Sequence, residues 1–235
     1  MWRPLGEGLM QKLVVTIIAL IFASTVQANQ EIPFLDAITE IKMSSLKAVE
    51  SNGSIFFMSP NGRFVIQCEL TDTWQQKKLV TLKEIDYAAK HIDIEKMGLP
   101  IDELNVIKVG TGKKEIVIFV DPQCDPCKKF FQKAQKNTDK YTFKFIVVPA
   151  LGEESNKMAT SMFCSKDKTN LVKHFLERTL LDLDQQENCD KKYYNLTLTV
   201  AQLIGIKHVP FFIAPSGLYQ AGEGQNFWKW VENEG

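Results

Sequence analysis

The chain has 235 residues, 28 basic and 28 acidic, and 45% of it is hydrophobic. That mixed, near-neutral balance gives no reason to expect nucleic acid or an anionic membrane surface as a partner. Its five cysteines and three histidines include one closely spaced cysteine pair where a zinc ribbon uses two, so no metal is expected.

Residues 1–28 read as a secretory signal peptide. Arg3 and Lys12 supply the positive region, Leu13–Ala23 the apolar core, and Val26-Gln27-Ala28 the small-residue cleavage site. The apolar core is too short to span a bilayer comfortably; an uncleaved anchor is the rival reading. Met10 would give a more compact positive region as an alternative start. Export places the rest of the chain where disulfides persist. Removing Arg3, Lys12 and Glu7 takes the net charge from 0 to −1. What remains suffices for one medium domain or two small ones.

Residues 29–80 read as a small α+β domain. Ile32–Lys42 has helical spacing of Phe34, Leu35, Ile38 and Ile41, and Leu46–Glu50 could be a short strand. Ser54–Met58, the Pro60-Asn61-Gly62 turn and Arg63–Leu70 predict a hairpin. Alternation puts Phe64, Ile66, Cys68 and Leu70 on one face, so Cys68 is expected to be buried as a small apolar residue. An odd cysteine in an exported chain also leaves an intermolecular bridge open. Thr81–Met97 then predicts a helix with a Thr81/Glu84 capping box, stopped by Gly98-Leu99-Pro100. It reads as a linker spanning residues 81–100.

Residues 101–235 read as a redox domain. Asn105–Val109 and Ile116–Val120 are strands joined through Gly110-Thr111-Gly112. The unbroken, mostly β-branched run Ile116–Val120 predicts a strand buried on both faces. Asp121-Pro122 ends it, and Cys124-Asp125-Pro126-Cys127 opens a helix over Lys128–Lys136. Tyr141–Val148 is a further strand. Glu153–Cys164, Lys168–Leu181 and Lys191–Ile204 predict helices, and Phe211–Ala214 a last strand. The order is that of an α/β domain with helices against a sheet.

A Cys-x-x-Cys at a helix N-terminus has a chemical consequence. The thiolate is the nucleophile of disulfide exchange, and the first helical turn offers unpaired N–H groups and the positive end of the dipole. Cys124 at the cap is the expected attacking thiol, and Cys127, one turn in, the resolving thiol. A purely structural bridge is the rival, but so short a loop constrains the unfolded chain little. Between the cysteines, Asp125 repels a neighbouring thiolate and Pro126 lacks a donor. Both predict a more reducing pair. His208 could oppose them or be an exposed loop histidine. Val209-Pro210 introduces the last strand. A trans proline at a strand edge is the default; a cis bond facing the cysteines would instead offer the Val209 backbone to an extended substrate.

Taken in order, SIFFMSPNGRFVIQCELTD, NVIKVGTGKKEIVIFVDPQCDPCKKF with Asp121 before the motif, MFCSKDK, ENCD and GIKHVPFFIAPSG resemble the exported bacterial disulfide isomerases of the DsbC/DsbG group. The resemblance covers nearly the whole chain after residue 28. It implies a thioredoxin-like catalytic domain with a helical insertion, behind a cystatin-like dimerisation domain and a linker helix. It implies that Cys164 and Cys189 form a structural disulfide contributing roughly 3–4 kcal/mol, and that Val209 and Pro210 form the cis-proline site. It further implies a V-shaped homodimer whose two Cys-x-x-Cys sites face a shared apolar cleft. Val209 stands where the family carries threonine. Ile118, six residues before the first cysteine, stands where thioredoxin carries a buried acid, so proton transfer would run through water.

The expected function is therefore periplasmic isomerisation or reduction of wrong disulfides in misfolded exported proteins. The pair Cys124–Cys127 itself is the redox group, with no other cofactor, and a DsbD-type membrane reductase would keep it reduced. A dithiol oxidase and a redox-independent holdase chaperone are the rivals.

Overall fold

The computed structural model describes residues 46–51 and 53–232. The signal peptide and the helix expected over Ile32–Lys42 lie outside them. Strands β1 (Lys47–Ser51) and β2 (Ser54–Met58) pair antiparallel, and β3 (Val65–Ile66) adds to β2. The turn between β2 and β3 is closed by Gly62 N–H donating to Ser59 O at 2.9 Å. Ser59 Oγ accepts from Phe64 N–H at 3.0 Å, which explains a buried serine at a loop.

The strand expected over Arg63–Leu70 is divided between two sheets. Its beginning pairs with β2, and its end, β4 (Leu70–Asp72), pairs instead with β5 (Lys77–Leu79). The residues between leave both ladders. Cys68 is among them and is exposed and free, not buried. The alternation that placed it inside needs one continuous strand, and the change of partner removes that condition.

Helix α1 (Leu82–Lys90) begins as expected: Thr81 Oγ1 accepts from Glu84 N–H while the Glu84 carboxylate accepts from Thr81 N–H. It ends well before Met97. His91 is extended and bridges to Leu218, and Ile92 N–H donates to Gly217 O at 2.8 Å. Pairing with a distant turn pulls the chain out of the helix, a tertiary override of local propensity.

The main sheet has the order β10-β9-β7-β8-β6, with β6 (Val106–Val109), β7 (Lys114–Val120), β8 (Tyr141–Val147), β9 (Phe211–Ile213) and β10 (Tyr219–Ala221). Only β7 and β8 are parallel, and helix α2 (Asp125–Ala134) makes the crossover that a parallel pair requires. Period-two alternation divides each central strand between two cores. Ile116, Ile118 and Val120 of β7, Phe143, Phe145 and Val147 of β8 and Phe212 of β9 face one layer. Val117 and Phe119, Ile146, and Phe211 and Ile213 face the other.

The first core is aromatic and holds α2 in place. Phe130 lies with its ring centroid 4.7 Å from Phe212 and 4.8 Å from Phe227. Phe131 stacks on Phe145 at 3.8 Å. Both α2 phenylalanines are fully enclosed; burying each contributes about 2–3 kcal/mol. Helices α3 (Glu153–Phe163), α4 (Leu171–Glu177), α5 (Lys192–Ile204) and α6 (Phe227–Glu232) complete the layers.

Helix α4 is shorter than the expected Lys168–Leu181. Asp167 Oδ1 accepts from Thr169 N–H at 2.7 Å in a side-chain turn before it, and Arg178 in a left-handed conformation closes it. Strand β10 and helix α6, of three and six residues, are too short for periodicity in the sequence to register.

Candidate active site

Strand β7 ends at Val120, and Asp121 turns the chain. The Asp121 carboxylate is fully buried and accepts three hydrogen bonds: Gln123 N–H at 2.7 Å, Leu151 N–H at 2.8 Å and Ser155 Oγ at 2.8 Å. It joins the end of β7 to the loop before α3 and to α3 itself. Cys124 N–H donates to Asp121 O at 3.1 Å. The first cysteine is thus seated by a buried carboxylate with no unfilled need.

Cys124 is the N-cap of α2, and Cys127 N–H points at its sulfur at 3.1 Å. A helix of ten residues therefore directs its first-turn N–H and positive dipole end at Cys124 Sγ. Pro126 removes one donor, but Cys127 supplies one. The two sulfurs are bonded to each other. Cys124 keeps 5% of its surface exposed and Cys127 none, so a partner can reach only the first. Asp125 and Pro126 between them are exposed.

The peptide bond between Val209 and Pro210 is cis, and Cys124 Sγ lies 3.7 Å from Val209 O. The chain before β9 so comes alongside the first cysteine. The mixed sheet order, the β7–Cys-x-x-Cys–α2 junction and this proline loop converge on the two sulfurs. The fold is thioredoxin-like. His208 is exposed on the same loop. Ile118 is fully buried between Phe145 and Phe212, its ladder partners on either side, and it offers no proton-carrying group. Cys164 and Cys189, far from the first pair in sequence, are bonded to each other and tie the end of α3 to the segment before α5.

Two features of the site were invisible in the sequence. Ser155 and the Leu151 amide complete the Asp121 cradle from 34 and 30 residues away. Arg178 bonds to Asp125 from 53 residues away, and donates to Gln123 O at 2.8 Å. The charge at Asp125 is paired, which the expectation of a repelled thiolate did not include. No local signal marks either partner, because each is brought in by the helical insertion.

No protein-family model matches the chain, and no curated protein does. Solved structures do. A disulfide interchange protein from Neisseria gonorrhoeae is 21% identical, over 58% of this chain and 98% of its own, with a TM-score of 0.48. DsbG from Helicobacter pylori is 18% identical, over 75% of this chain and 90% of its own, with a TM-score of 0.36. The catalytic domain of ScsC from Proteus mirabilis is 15% identical, over 57% and 93%, with a TM-score of 0.40. The sheet order, the cysteine pair and the proline loop make the fold thioredoxin-like.

Proposed function

We propose that the protein is a thiol–disulfide interchange enzyme that isomerises or reduces wrong disulfides in exported proteins. The observation that carries this is the asymmetric pair: Cys124 capped, edge-exposed and beside Val209 O, with Cys127 enclosed one turn behind it. The Cys124 thiolate attacks one sulfur of a client disulfide. A Cys124–client bond forms and the other client sulfur leaves as a thiolate. In isomerisation a client thiolate then attacks the mixed disulfide and Cys124 is released, with no net electron transfer. In reduction the Cys127 thiolate attacks Cys124 Sγ instead; the client gains two electrons and the Cys124–Cys127 bond forms.

An extended client strand could pair with the backbone at Val209, which Pro210 orients. A DsbD-type dithiol donor would return the oxidised pair to the dithiol. The sequence pattern of residues 1–28, basic residues before a short apolar run and a small-residue site, supports a periplasmic location. The half-buried sheets of residues 47–79, where Phe64 and Val65 are exposed, support a homodimer formed through this region. The ion pair of Arg178 with Asp125 favours a second reading, a dithiol oxidase, because it offsets the charge that argues for a reducing pair.

Reactivation of a scrambled, disulfide-rich ribonuclease by the reduced mature chain tests the proposal. Recovery that disappears in Cys124→Ala supports it. Oxidation of a fully reduced client without rescue of a scrambled one would move the protein to the oxidase reading, and rescue by Cys124→Ala would move it to a holdase.

A further inference from the structure

Arg178 takes no part in the exchange steps themselves, yet its setting is unusual. It closes α4 at φ 60° and ψ 33°, a left-handed conformation that glycine adopts freely and that a side chain resists. Its base is fixed on both sides. Phe175 is buried, with its ring centroid 5.2 Å from Phe131 of α2. His174 Nδ1 lies 2.9 Å from Thr179 Oγ1. From this anchored position one guanidinium nitrogen donates to Gln123 O and to Asp125 Oδ1. Those are the residues immediately before and after Cys124. That one nitrogen carries two N–H donors in the plane of a permanently charged guanidinium, one for each acceptor; an ammonium would supply the charge with less fixed direction.

We propose that Arg178 is a positioning residue of the redox site: it pairs with Asp125 and holds both flanks of Cys124, so that the reduced form is more stable than the motif alone would allow. This rests on the exchange reading. A carboxylate adjoining the sulfur raises the cost of a thiolate, and a cation on that carboxylate offsets it. No charge develops on the disulfide, so the ion pair favours the dithiol side. In the equilibrium with glutathione, two glutathione thiols give two electrons and their sulfurs join. The Cys124–Cys127 bond breaks and the two protons go to the protein sulfurs, or to solvent where Cys124 stays ionised.

The experiment is that equilibrium constant for the mature chain and for Arg178→Ala, Arg178→Gly, Arg178→Lys, Asp125→Asn and the Arg178→Ala/Asp125→Asn double variant. Asp125 is 73% exposed, so solvent screening keeps the effect modest. Arg178→Ala and Arg178→Gly are each expected to shift the constant about threefold toward the disulfide, which is roughly 15 mV for a two-electron couple. Arg178→Lys restores at least half of the shift. Asp125→Asn moves the opposite way, and the double variant returns close to the parent. A constant unchanged in Arg178→Ala would overturn the proposal, as would a parental constant in Arg178→Gly, which would assign the effect to backbone strain. Exchange absent even in the parent would overturn the exchange reading as well; exchange present but unshifted removes Arg178 alone.

Discussion

Cys124 Sγ and Val209 O, 85 residues apart in sequence, stand 3.7 Å from each other. The contact sets the first cysteine at the seam between α2 and the proline loop, with Cys127 sealed beneath it. Alkylation of the reduced protein should therefore be ordered. Iodoacetamide is expected to modify Cys124 at least about tenfold faster than Cys127, read by peptide mass spectrometry. Equal rates would mean that the helix turn opens in the dithiol.

Asp121 is the keystone of the loop that seats Cys124. Removing its carboxylate in Asp121→Ala leaves a buried hydroxyl and two amide N–H groups without acceptors. The expected loss is about 2–3 kcal/mol in urea unfolding. Ser155→Ala removes one donor from a carboxylate that keeps two, and should cost about 1 kcal/mol. A smaller loss in Asp121→Ala than in Ser155→Ala would contradict the cradle.

The bridge between Cys164 and Cys189 closes a loop with a sequence separation of 25 residues that contains α4 and Arg178. Replacing both cysteines by serine should lower stability by about 3–4 kcal/mol on loop-closure grounds. The urea midpoint measures it, with the slope checked for any change in the unfolded state.

The start of α1 should respond to acid. The Lys77 ammonium, followed by the Val80 N–H, holds the Glu84 carboxyl down from 4.5 to about 2. A carboxyl that is more acidic in the folded chain adds stability above the unfolded value, and that contribution is lost as pH falls. The window runs from about 4.5 down to about 2. Protection of the Leu82–Lys90 amides, after division by the intrinsic exchange rate at each pH, should fall across that window, and Glu84→Gln should flatten the response. Above the window, Thr81→Ala should weaken the helix by about 1 kcal/mol.

The sheet domain was legible in the sequence where a residue's neighbours settle its place. Ile116–Val120 reads as a strand buried on both faces and the Cys-x-x-Cys after it as the opening of the next helix, and both are found so. Legibility stopped where distant chain decides. His91 leaves its helix to meet Leu218, Cys68 falls in the gap between two sheets, and Arg178 reaches Asp125 from the insertion. Each outcome depends on a partner that no local window contains. The carboxylate of Asp125 shows the cost most directly, since its charge was readable and its counter-ion was not.

In the proposed exchange Cys124 attacks and Cys127 resolves. The most direct test incubates reduced Cys127→Ala and Cys124→Ala variants separately with a disulfide-bonded client, followed by acid quench and non-reducing electrophoresis. Cys127→Ala is expected to accumulate a covalent complex through Cys124 that a thiol reductant releases, and Cys124→Ala to form none. A complex formed through Cys127 in the Cys124→Ala variant, or none in either, would contradict it.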